Sequence, residues 1–238
     1  MFRVAPLVWL ALVFLYWLAM TVVSLVPVVG IGAATVLIPG FSVGFMVASR
    51  AADRGQAPQP GQLLEGFRHG APAQLTLGGI YLVCLALLIG ATALADGGAL
   101  ARWLLSGERP DQQALHSDAF LAALLMAASG YLPVMMMFWF APVLVAWHGM
   151  APAKALFFSF FGSLVNWRAF IGYGLIAALV TVVLPFLLLA LLLVLSAGRL
   201  RMSAMGLVLP LLVLLLPTLF ASFYASYRDV FGGAEESA

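Results

Sequence analysis

AFLAALLMAASGYLPVMMMFWFAPVLVAW, residues 119–147, holds no acidic, basic or histidine side chain. An α-helix rises about 1.5 Å per residue and the hydrocarbon core of a bilayer is about 30 Å thick, so roughly 20 such residues cross it. The same ruler, moved along the chain, finds six runs: 5–26, 28–49, 72–95, 119–147, 169–195 and 203–225. They are continuous rather than alternating, and alternation in segments of about 10 residues is what a membrane β-barrel needs. The fold expected is therefore all-α, a polytopic transmembrane helical bundle.

Composition agrees with that reading. Hydrophobic residues make up 64% of the chain, charged residues 8%, and mean hydropathy is +1.11, whereas soluble domains carry about 25% charge. One transmembrane domain over residues 1–230, followed by a polar tail at 231–238, accounts for the whole chain. The longest hydrophilic stretch, near 96–118, is too short for a folded soluble domain. The opening apolar run continues to about Val26, past the roughly 7 to 15 residues of a signal-peptide core, and is read as a retained first span. The turn after it, Pro27-Val28-Val29-Gly30, is so tight that a partly re-entrant pair competes with two full crossings.

A net charge of +2, with the basic residues scattered singly or in pairs, argues against nucleic acid as a partner. Six crossings put Arg3, Arg50, Arg54, Arg68, Lys154, Arg168 and Arg228 on one side and Arg102, Arg109, Arg199 and Arg201 on the other. The positive-inside rule then places both termini in the cytoplasm of a bacterial inner membrane, with the Arg199 and Arg201 pair standing against that choice.

The segment after the opening stretch, 148–170, carries Lys154 among five phenylalanines. Pro152 suits the first turn of a helix. At about 100° per residue, Ala155, Ser159, Gly162, Ser163 and Asn166 share a narrow small stripe. Phe157, Phe158 and Phe161 belong to the broad face opposite. The expectation is an elbow helix at the lipid interface, with Lys154 and Arg168 reaching headgroup phosphates. The competing reading is a plain extension of the fifth span with its small stripe packed on neighbours, and both require a bend near Asn166 to Arg168. Pro60 with Leu63, Leu64 and Phe67 loosely parallels Pro152 with Leu156, Phe157 and Phe160, which suggests a duplicated hairpin; ligand sites often lie between such repeats.

Reactive groups are scarce. The spans hold essentially no ionisable side chain, which argues against a proton-coupled pump, a voltage sensor or a buried catalytic dyad. Cys84 stands alone in an apolar run and serves as a packing residue, so no disulfide framework or thiolate site is available. His116 beside Asp111 and Asp118 lacks a spaced set of strong metal ligands. No catalytic or metal-ligating residue and no cofactor is expected. Gly40, Gly44 and Ala48 form a small-residue helix face, suited to close packing within the chain or to dimerisation. Pro39, Pro133, Pro142, Pro185, Pro210 and Pro217 interrupt spans two, four, five and six; they either kink the bundle or line a solute path.

At 137–170, MFWFAPVLVAWHGMAPAKALFFSFFGSLVNWRAF, at 223–231, FYASYRDVF, and in the opening RVAPLVWLALVFLYWL at 3–18, the chain resembles a family of conserved bacterial inner-membrane proteins of unknown function. The resemblance covers most of the chain. It implies a polytopic inner-membrane protein with cytoplasmic ends and a longer basic, aromatic lead-in before Arg3, and it supplies no catalytic residues.

Two functional readings follow. The first is a non-enzymatic protein that organises or assists partners in the envelope, among them membrane lipids, another membrane protein or a second copy of itself. The second is a small permease or exporter for an uncharged or amphiphilic solute. A lipid-modifying enzyme using His69 or His148 near Glu65 is a remote third. An organiser predicts a filled core with an exposed small-residue helix face, while a permease predicts proline breaks lining a cavity.

Overall fold

The computed structural model describes residues 5–27, 29–68, 70–195 and 201–232, which are helical and free of strands. Helix α1, Pro6–Ser24, starts on its proline and returns through a tight turn into α2, Gly30–Asp53. A 3-10 turn, Pro60–Leu64, then leads into α3, Glu65–Arg68, and folds back on α2. That turn is closed by the Gln59 backbone N–H donating to the Gln62 side chain at 3.0 Å. Helix α4, Ala71–Asp96, ends where Gly97 takes φ 65°. The Asp96 carboxylate accepts from the N–H groups of Gly98 and Leu100 at 2.8 and 2.7 Å, launching α5, Ala99–Ser106. The short α6, Gln112–Leu115, is capped by Asp111.

Helix α7, Asp118–His148, is capped by Ser117 and runs for 31 residues through Pro133 and Pro142. It stops at Gly149, whose φ of 61° is one that a residue without Cβ adopts freely. Helix α8, Pro152–Val165, doubles back antiparallel along α7: Ala155 joins the cluster around Leu144, and Ser159 and Ser163 reach Met136. The chain breaks at Asn166 into α9, Trp167–Ala178. A π turn, Leu179–Val183, leads into α10, Leu184–Leu195. Pro185 lies just after it; a proline lacks the N–H for a normal rung, and the wider turn absorbs that loss. The last helix is α11, Arg201–Phe231.

Among the described residues, five helical segments are long and apolar enough to cross a bilayer: Pro6–Ser24, Gly30–Asp53, Ala71–Asp96, Asp118–His148 and Trp167–Leu191. The sixth expected span, 203–225, falls within α11, which persists to Phe231. It outruns the apolar run because Tyr224 and Tyr227 are core residues, 7% and 3% exposed. The polar tail expected at 231–238 lies outside the described residues from 233 onward.

The surface is apolar while the few buried polar side chains, Ser49, Gln74, Thr92, Ser159 and Ser163, lie inside. Leu175, Ile176, Phe186 and Leu187 all stand more than half exposed along α9 and α10. In water a patch of this extent would drive aggregation; in lipid it costs nothing, and cohesion comes from close packing and internal hydrogen bonds. The main core joins α2, α4, α7, α8 and α11 around Met46, Leu77, Phe140 and Tyr227. A second seals α1 and the Pro60 turn onto α2 through Trp9, Phe41, Phe45 and Leu63.

Candidate functional site

Proline at position i withholds its N–H from the carbonyl four residues earlier and pushes that carbonyl away. In α2 and α7 this happens at Pro39 and Pro142, and both prolines line one cavity of about 460 Å³. The remaining walls come from α4, α9 and α11, so the cavity sits where five helices meet. Its size falls in the range of sites that enclose a small molecule, about 300–1,000 Å³.

Aromatic rings dominate the lining. Trp139 meets Tyr173 edge-on at 5.6 Å and Phe223 at 5.0 Å, an arrangement that adds about 0.5–1.5 kcal/mol per pair beyond area burial. Polar character comes from hydroxyls and the Trp139 indole N–H, which donates to Ser226 at 3.5 Å. Tyr81 and Tyr131 place theirs 3.3 Å apart across α4 and α7, and Tyr173 and Ser222 are 3.0 Å apart across α9 and α11. Ser42 returns its hydroxyl proton to the Pro39 carbonyl at 2.7 Å. None of the residues lining this cavity is acidic, basic or histidine. The site can hold an apolar or aromatic body and direct it with hydroxyls; it offers nothing for a buried charge.

Three of the helices that line the cavity are tied together at one end. Arg50 of α2 stacks over Trp147 of α7 at 4.9 Å. His148 Nε2 lies 2.6 Å from the Tyr227 hydroxyl of α11, and Arg228 donates to Asp53 at 2.9 Å. Exposed ion pairs contribute little stability; this set fixes the relative position of the ends of α2, α7 and α11.

The residues singled out by sequence fall in separate places. Gly40 and Gly44 are buried under the chain's own Pro60–Arg68 segment, and Ala48 is buried in the cluster that joins α1 to α2. Gly66 sits on the Gly40 carbonyl, and a Cβ on Gly44 would lie 2.5 Å from the Leu63 carbonyl oxygen. That face is occupied inside the monomer. On α8 Ala155, Ser159 and Ser163 of the small stripe pack on α7 while Gly162 faces Phe231 of α11, and Phe157, Phe158 and Phe161 stay 57%, 40% and 44% exposed. Lys154 lies over Phe158 at 5.9 Å and Arg168 over Trp167 at 5.5 Å. Helix α8 is thus half of a hairpin with α7, because hydroxyls on its stripe reach the α7 backbone. His69 lies outside the described residues. Glu65 pairs with Arg68 at 2.9 Å, and His116 approaches the Gln112 carbonyl at 2.7 Å.

Sequence reading offered proline breaks lining a cavity as one alternative but did not identify the aromatic and hydroxyl walls of this one. Tyr81 and Tyr131 carried the available signal: a phenol inside an apolar span needs a partner for its hydroxyl, and here one of the two donates to the other.

The chain matches no family model and no solved structure. It is 43% identical over 244 residues to a probable inner membrane protein of Burkholderia thailandensis, an alignment covering 100% of this chain and 89% of the relative.

Proposed function

The chain belongs to a family of probable inner membrane proteins, and on that premise we propose that it is a small permease or exporter that holds an uncharged or amphiphilic solute in the aromatic cavity. One observation carries the reading: Pro39 and Pro142, which interrupt two different spans, converge on the same cavity. An organiser working through a small-residue face would need that face free, and Gly40 and Gly44 are covered internally.

Native mass spectrometry of protein extracted gently from its own membrane tests the proposal. The wild type is expected to retain a stoichiometric small molecule. Ala177→Trp, which puts an indole into the cavity from α9, is expected to lose it while remaining monodisperse and heat-stable. A wild type that arrives with a reproducible protein partner and no small molecule would restore the organiser reading.

In this reading both termini are cytoplasmic. Arg50, Arg54 and Arg228 gather where α2 and α11 end, and Arg102 and Arg109 belong to α5 and the loop after it; that gathering supports the positive-inside assignment. A membrane-impermeant thiol reagent applied to intact spheroplasts is expected to label Ser106→Cys and to spare Gln56→Cys. The reverse pattern inverts the topology.

A further inference from the structure

Beside the aromatic cavity lies a second one of about 350 Å³, and Trp139 and Tyr173 line both. The second is polar where the first is not: Asn166, Ser222, Ser226 and Asp229 line it, between the bend at Asn166 and the end of α11. We propose that the solute is an amphiphile with a cationic, hydrogen-bond-donating head, its apolar body in the aromatic cavity and its head against Asp229. This rests on the solute-binding reading above and adds the chemistry of the head.

The argument is an account of donors and acceptors. Ser222 donates its proton to the Leu219 carbonyl at 2.8 Å, and Ser226 donates to the Phe223 carbonyl at 2.8 Å. The Asn166 amide nitrogen, as assigned by its hydrogen bond, donates to the Gly162 carbonyl at 2.9 Å. Ser222, its proton spent on Leu219, accepts from the Tyr173 hydroxyl at 3.0 Å, and Ser226 accepts from the Trp139 indole N–H at 3.5 Å, so each serine oxygen keeps one lone pair; Asp229 at the rim adds a carboxylate that accepts only. The adjacent cation does not neutralise it: Arg228 is drawn to Asp53 at 2.9 Å. Arg168 stacks on Trp167 at 5.5 Å, and neither arginine lines the chamber. A chamber whose indole and phenol donors are already engaged by the serines, and whose one charged lining residue is a carboxylate, disfavours phosphate, sulfate and carboxylate heads and suits an ammonium, which has three donors and no acceptor.

The test offers purified protein an equimolar mixture of dodecylamine, dodecanol and dodecanoate and reads bound mass by native mass spectrometry. The wild type is expected to take the amine in preference to both others. Asp229→Asn, which keeps shape and removes charge, is expected to weaken the amine about ten-fold and leave the alcohol unchanged. Ala177→Trp is expected to exclude all three. Equal uptake of amine and alcohol, indifferent to Asp229→Asn but sensitive to Ala177→Trp, overturns the head assignment and leaves the solute-binding reading intact. Uptake that Ala177→Trp does not change removes both, and melting curves of the two variants separate lost binding from lost folding.

Discussion

Gly78→Ala should leave little folded protein. Gly78 is buried where α4 crosses α2, and a Cβ there would overlap the Val36 carbonyl oxygen and lie 2.6 Å from its carbon. The obstacle is backbone, so no rotamer change relieves it, and the two helices must separate. Overpacking of a close-packed site costs about 1–3 kcal/mol; a clash with backbone belongs at or beyond the upper end, roughly 3 kcal/mol or more. The loss spreads to the cavity, because Tyr81 of α4 and Pro39 of α2 face it from either side of this contact. Gly79→Ala is the control one residue away. Beyond its own turn of helix nothing lies within 4 Å of its Cβ position, and alanine gains about 0.5–1 kcal/mol in a helix interior. The measurement is the fraction of detergent-extracted protein surviving a heating series as a single size-exclusion peak. Equal survival of the two variants would remove close α2–α4 packing as a determinant of the fold.

Ser159→Ala should loosen the α7–α8 hairpin at a cost of about 0.5–1.5 kcal/mol per hydrogen bond lost, since the α7 groups released by the hydroxyl still have each other. Ser159 is wholly buried, accepts from the Phe140 N–H at 2.9 Å and donates to the Met136 carbonyl at 2.8 Å. Those two groups form one rung of α7, and Met135, Phe138 and Trp139 between them and beside them face the cavity. The variant is therefore expected both to melt earlier and to hold solute less tightly. Phe158→Ser changes the adjacent residue, 40% exposed, and should do neither. If Ser159→Ala melts with the wild type, the hydroxyl is not what binds α8 to α7.

Much of the helical pattern was legible because length and apolarity are local properties. Helices lie at each expected span, and Pro6, Pro60, Pro72 and Pro152 all stand in first turns. The stripe of Ala155, Ser159 and Ser163 was legible as a stripe, since periodicity fixes which residues share a helix face. Its partner was not: the same small residues suit an elbow on the bilayer or a hairpin against α7, and the choice depends on the turn at Gly149. Helix α11 continues past the expected span end at 225 to Phe231. Asp229 consequently went unnoticed as the carboxylate of a chamber.

The sequence by itself determined that this is a helical membrane protein with few charged groups in its spans. Hydropathy acts residue by residue, and about 20 apolar residues in line have one low-energy environment whatever surrounds them. Only the tertiary structure decided that Gly40 and Gly44 face Leu63 and Phe67 rather than another molecule, and that Pro39 and Pro142 bound one cavity. Lipid tails solvate every apolar face equally well. Which face turns inward is set by contacts between small residues and by hydrogen bonds such as Ser159 to Met136, whose partners lie far apart in the chain and exist only once the helices have met.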